Sequence, residues 1–177
     1  MNLANKITIA RILLVPVFMV FLLAKVPYGV TIASIIFIVA ALTDSLDGYI
    51  ARSRNQVTKL GKFMDPLADK LLVTAALVSL VQMDKLAAWV VVVIISRELV
   101  VSVFRAVAAS EGIVIAASPW GKGKTISQIV AIVTLLLNNY PFSLYNIPFD
   151  TISVWVAVIL TVISGYDYIN KNKQVLM

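Results

Sequence analysis

The chain has 177 residues, 60% of them hydrophobic and 14% charged, with a net charge of +6 and a mean hydropathy of +0.95. Such a composition excludes a soluble domain unless nearly every helix were hidden from water, and it indicates a polytopic membrane protein. The absence of cysteine removes disulfides, thiolate metal sites and cysteine nucleophiles, and the absence of histidine leaves Asp, Glu, Lys or Tyr to serve as any general base.

Apolar stretches at about residues 7–24, 29–51, 66–83, 86–109, 121–138 and 149–168 predict six transmembrane helices in one membrane domain covering residues 1–177, since a bilayer core needs roughly 20 helical residues. The first stretch does not have the form of a cleavable signal peptide: it contains Pro16, lacks a small-residue cleavage site and leads into further spans. Short breaks fall at Pro27 and Gly29, at Asp84 and Lys85, and over residues 138–150. No soluble domain, low-complexity tract or internal repeat stands out.

Six spans place both termini on one side, and the charges choose which. Lys6, Arg11, Arg52, Arg54, Lys59, Lys62, Lys122, Lys124, Lys171 and Lys173 fall on that side, against Lys25 and Lys85 opposite. This bias predicts cytoplasmic termini and explains the basic charge better than nucleic-acid binding does, because the cations sit between apolar spans. Lys70, Arg97 and Arg105 lie within spans and are candidates for function.

Four aspartates stand in the same apolar setting: Asp44, Asp47, Asp65 and Asp69. Carboxylates at membrane depth are costly and need compensation, so four in one region imply bound cations and chemistry. Asp44, Asp47, Gly48, Ala51 and Arg52 fall at i, i+3, i+4, i+7 and i+8 near the end of the second helix and share a face. After a turn containing Gly61, Asp65 and Asp69 lie four apart at the predicted start of the third helix, so all four acids can converge on one pocket. With hard oxygen ligands alone, Mg²⁺ or Mn²⁺ is favoured over zinc or copper, and four carboxylates suffice for two such ions. Structural readings compete: Asp65 before Pro66 would make an N-cap, and Asp44 and Asp47 would pair with Arg52 and Lys70.

The set reads D-x-x-D-G-x-x-A-R, eight residues, G-x-x-x-D-x-x-x-D, as Asp44, Asp47, Gly48, Ala51, Arg52, Gly61, Asp65 and Asp69. It resembles the signature of the CDP-alcohol phosphatidyltransferase family at every fixed position, and the six-span length fits. Asn5, Ile7, Thr8 and Arg11 at the start, the stretch GKFMDPLADKLL, SRE at 96–98 and GKGKT at 121–125 are similar to the bacterial branch that forms phosphatidylglycerophosphate.

The resemblance implies transfer of a phosphatidyl group from CDP-diacylglycerol to sn-glycerol 3-phosphate, with CMP released. It implies that the four signature aspartates ligate the divalent metal site, that Asp69 is the base toward the acceptor hydroxyl, that Asn5 and Thr8 approach the CDP moiety, and that the protein is a homodimer. Gly48 and Gly61 would let the nucleotide approach backbone closely and Arg52 would bind a phosphate, while packing would explain Gly48 and a helix cap Thr8.

Because glycerol 3-phosphate is a dianion, cations are expected around it. Arg97 and Arg105 are eight apart on one face of the fourth helix, and Lys122 and Lys124 begin the fifth. Two structural readings compete: Glu98 neutralises one arginine, and Lys122 serves only as a topological anchor. GKGKT is not a Walker loop, since Ser118 stands where that motif needs glycine and no strand precedes it. Same-family transfer to phosphatidylglycerol, serine or inositol phosphate, and an ion-coupled transporter, are the alternatives; against the transporter, the acids cluster near one end amid arginines and lysines, and no second half mirrors the first.

Overall fold

Each long apolar run of the chain folds as α-helix, which satisfies its backbone N–H and C=O groups within the run itself. The structure, a computed structural model, describes residues 3–24, 26–53, 59–113, 115 and 118–173, with the side chains of 3–5, 44–53 and 59–66 outside the description. Among the described residues there are six α-helices and no strand: α1 (Leu3–Leu23), α2 (Gly29–Ser53), α3 (Lys59–Gln82), α4 (Ala88–Ser110), α5 (Pro119–Leu136) and α6 (Phe149–Lys171). Among them, two segments are long and apolar enough to cross a membrane, Lys6–Leu23 within α1 and Phe149–Lys171. Arg97, Glu98 and Arg105 interrupt the apolar surface of α4. The chain forms two compact units, Met1–Lys85 and Leu86–Met177.

In the first unit α1 packs on both α2 and α3. Phe18 of α1 meets Phe37 of α2 with ring centroids 5.9 Å apart, and both rings are fully buried. Buried Ala33, Ala40, Ala68 and Ala76 keep the other contact positions small, so the backbones approach closely. The α1–α2 turn requires glycine at position 29, because a Cβ there would sit 2.5 Å from the carbonyl oxygen of Phe21. α3 closes where Asp84 turns left-handed (φ 57°) and the Lys85 N–H donates to the Leu80 carbonyl at 3.0 Å.

One boundary differs from the sequence expectation. α3 begins at Lys59, seven residues ahead of the predicted span, so Gly61 and Asp65 lie inside the helix instead of in a turn and at an N-cap. The residues from Lys59 to Met64 are mostly good helix formers, an interior glycine costs only about 1 kcal/mol, and Pro66 removes a single backbone donor; none of these stops the helix.

In the second unit α6 packs on both α5 and α4. The α5–α6 seam is small and polar: Gln128 Nε2 donates to Thr161 Oγ1 at 3.1 Å, and the hydroxyls of Thr134 and Ser153 lie 3.0 Å apart. Ala131, Ile132, Leu135 and Leu136 of α5 and Ala157 and Val158 of α6 are buried as well. Just beyond the end of α4, Gly112 turns left-handed (φ 76°) and the Ile113 N–H donates to the Ala108 carbonyl at 2.9 Å. The break at 138–150 holds a short 3₁₀ turn, Phe142–Tyr145.

Candidate active site

In the first unit the start of α3 and the end of α2 carry the acidic motif. Gly61, Asp65 and Asp69 all belong to one continuous helix at four-residue spacing, which aligns them along one face. Asp44, Asp47, Gly48, Ala51 and Arg52 occupy the last turns of α2. Residues 54–58 link Ser53 to Lys59, so the two helix ends lie no more than about 20 Å apart. The side chains of Asn5, Asp44, Asp47, Gly48, Arg52, Gly61 and Asp65 lie outside the described residues. Asp69 and Lys70 are half-buried. Among the described residues no group of three potential metal ligands converges, three of the four aspartates falling outside that set. The donor chemistry nevertheless suits a hard divalent ion, because carboxylate oxygens are the ionisable ligands in a motif without His or Cys.

Thr8 sits in the second turn of α1, not at its cap, and is buried. Arg11, three residues on and on the same face, is buried too. Sequence reasoning counted Arg11 both among the flanking cations of the membrane and in the opening motif with Thr8; its burial favours a functional role over that of a flanking cation.

In the second unit the structure brings Arg97 and Lys124 together through Glu98. Arg97 Nη1 lies 3.2 Å from Glu98 Oε1, and Lys124 Nζ pairs with the same oxygen. The three side chains are 13%, 5% and 23% exposed for Arg97, Lys124 and Glu98 respectively, so this is a largely desolvated cluster. Its net charge is positive.

α5 and α6 shape the rest of that cluster. Ser118 caps α5 by accepting the Gly121 N–H at 3.1 Å, with Pro119 at the first helical position. Arg97 Nη2 lies 4.0 Å from where a Cβ on Gly121 would be, which sets the guanidinium at the positive end of the α5 dipole. The arginine stem passes over Gly165 of α6, where a Cβ would come within 3.2 Å of Arg97 Cγ. Arg97 Nε is buried with no hydrogen-bond partner among the described residues, leaving donor capacity beside a helix N-terminus.

The other two predicted acceptor residues are placed differently. Arg105 is exposed and tied to α6: its Nε donates to Tyr168 Oη at 3.0 Å, and its Cζ lies 5.3 Å from that ring's centroid. Tyr168 is itself buried edge-on against Phe104. Lys122 is exposed in the first turns of α5. Glu98 proves to be the shared counter-ion, the neutralising role weighed for it. Gly165 and Tyr168 were not singled out from sequence, and nothing local marks them, since they act on residues more than 60 positions away.

An oxygen-only acidic motif and a buried arginine in the first unit, and a cationic cluster at a helix start in the second, each suit the handling of phosphates. The family model of CDP-alcohol phosphatidyltransferase matches residues 1–163, and the chain belongs to that family. Among its relatives, the CDP-diacylglycerol–glycerol-3-phosphate 3-phosphatidyltransferase of Bacillus subtilis (strain 168) is 50% identical, the alignment covering 99% of this chain and 97% of that protein. Proteins of the same name from Haemophilus influenzae and Rickettsia bellii are 37% and 34% identical, over 99% and 98% of this chain and 96% of each relative.

Proposed function

We infer that this protein transfers the phosphatidyl group of CDP-diacylglycerol to sn-glycerol 3-phosphate, yielding phosphatidylglycerophosphate and CMP for phospholipid biosynthesis. The observation that carries the reading is half-identity, over nearly the full length of both chains, to a protein named for this transfer. The intact eight-residue signature supports it.

Asp44, Asp47, Asp65 and Asp69 would hold Mg²⁺ or Mn²⁺, as two ions, which when bound would neutralise the diphosphate and the departing nucleotide. Asp69 takes the proton of the acceptor hydroxyl as that oxygen attacks the phosphorus bearing diacylglycerol. The anhydride bond to CMP breaks and its electron pair leaves with CMP. Asn5, Thr8, Gly48, Arg52 and Gly61 hold the CDP portion, Arg52 through its phosphates. Arg97, Arg105, Lys122 and Lys124 hold the acceptor phosphate. Arg97 suits that task best, being desolvated and set at the start of α5 with an unfilled donor.

The reading extends to setting. All six helices span the cell membrane as one domain, both termini face the cytoplasm, the polar cavity opens there, and the enzyme works as a homodimer. The apolar α1 and α6 and the ten-to-two distribution of flanking cations support the topology. The phosphorus fate tests the chemistry: with ³²P in the phosphate next to diacylglycerol, label should appear in the lipid product and none in CMP. Label in phosphatidic acid, with the cytidylyl group carried to the acceptor, would place the cleavage on the other side of the bridging oxygen and refute phosphatidyl transfer.

A further inference from the structure

The end of the second unit remote from Arg105 and Lys124 carries a surface that the transfer reaction does not use. No charged residue occurs from Thr125 to Phe149. Within this run the α5–α6 loop turns Tyr140, Leu144, Tyr145 and Ile147 outward, Leu144 being 68% and Tyr145 76% exposed. A monomer in water gains nothing by displaying such residues together.

The loop is braced so that they stay displayed. Asn139 Nδ2 donates to the Ile147 carbonyl at 2.7 Å, and Asn139 Oδ1 accepts the Asp150 N–H at 3.2 Å. Phe142 and Phe149 pack inside with ring centroids 4.2 Å apart. The backbone N–H groups of Tyr140, Ser143, Leu144, Asn146, Ile147 and Phe149 all donate to carbonyls within the loop or the end of α5. A segment with its donors satisfied internally can leave water without leaving them orphaned.

The loop also runs straight into α6, an apolar helix of membrane-crossing length. At the same end Trp89, the second residue of α4, meets Trp155 of α6 with ring centroids 5.7 Å apart, and both indoles are about half exposed. Half-exposed Trp and Tyr flanking an apolar helix match the interfacial preference of rings that are apolar in body and polar at the tip.

We propose that residues 138–148 form a preformed anchor in the headgroup–acyl boundary of the leaflet at the α4 start, occupied by phospholipid and not by water or a second copy. This rests on the membrane-spanning reading of α6. Since the loop has no charge, its insertion depends on apolar and hydroxyl contacts and is indifferent to headgroup charge. A second copy would cover the same residues from protein and exclude lipid from them.

The cysteine-free chain permits single-site labelling. Leu144→Cys and, separately, Tyr145→Cys are made in the full chain, with Ile159→Cys, on the 52% exposed lipid-facing side of α6, as depth control. Each carries a nitroxide and is reconstituted in phosphatidylcholine vesicles with and without phosphatidylglycerol, and collision with oxygen and with a water-soluble nickel chelate is measured. Both loop labels should lie within roughly 5–10 Å of the headgroup boundary, shallower than position 159 and at equal depth in both lipids. Loop labels as open to nickel as a free label, with position 159 deep, would overturn the anchor and leave the membrane reading intact. Loop labels reached by neither reagent would overturn lipid as the occupant in favour of protein. Nickel access at position 159 would overturn the spanning reading and the anchor with it.

Discussion

Glu98→Gln probes the cationic cluster at its one acidic member. Glu98 Oε1 is shared by Arg97 Nη1 and Lys124 Nζ, and none of the three side chains is more than 23% exposed. Glutamine keeps the shape and one acceptor oxygen but leaves two largely desolvated cations side by side. Removing one member of a buried pair costs about 3–5 kcal/mol, and the retained acceptor with partial exposure brings the expectation to roughly 1.5–3 kcal/mol. For a chain of this size that is a fall of about 3–12 °C in Tm, at about 2–4 °C per kcal/mol. Tryptophan fluorescence during heating in detergent measures it, with and without inorganic phosphate. Phosphate should raise the Tm of the variant more than that of the parent, because an anion replaces the missing charge. Combining Glu98→Gln with Lys124→Gln should recover part of the loss. An unchanged Tm, and equal phosphate effects in variant and parent, would show that Glu98 does not hold Arg97 and Lys124 together.

Three further outcomes concern the reaction. Activity should vanish with EDTA and return with Mg²⁺ or Mn²⁺ but not with chelator-free buffer alone, as rates in detergent micelles would show. Asp69→Asn should lower kcat at least about a hundredfold at any metal concentration, since an amide cannot take the proton, whereas the loss in Asp47→Asn should be partly recovered by added metal; kcat titrated against metal separates the two. Arg105→Ala should raise the KM for glycerol 3-phosphate several-fold to about a hundredfold and leave that for CDP-diacylglycerol nearly unchanged, and steady-state kinetics with each substrate varied would expose the reverse pattern.

The helices were legible because apolar runs of bilayer length leave the backbone few other ways to satisfy itself, and the observed ends of α2, α4 and α6 fall within a few residues of the expected ones. The start of α3 was not, because Gly61 and Pro66 carry strong breaker signals that a helix can absorb. Arg97 and Arg105 were singled out as cations within an apolar span, eight apart on one helix face, which are local properties. What holds them was hidden: Glu98 bridges to Lys124 26 positions away, and Tyr168 reaches Arg105 from 63 positions away. Burial separated residues that spacing had grouped, enclosing Lys124 while exposing Lys122 and Arg105. It likewise moved Arg11 from the membrane flank to the interior of its unit.

Acceptor choice tests the central claim most directly. Purified protein with Mg²⁺ and CDP-diacylglycerol in detergent micelles is offered glycerol 3-phosphate, inositol phosphate, serine or phosphatidylglycerol in turn, and CMP and lipid product are quantified. Glycerol 3-phosphate should give CMP and phosphatidylglycerophosphate in equal amounts, with the other acceptors near the no-acceptor background. Equimolar CMP and product with one of the others, and background with glycerol 3-phosphate, would contradict the account.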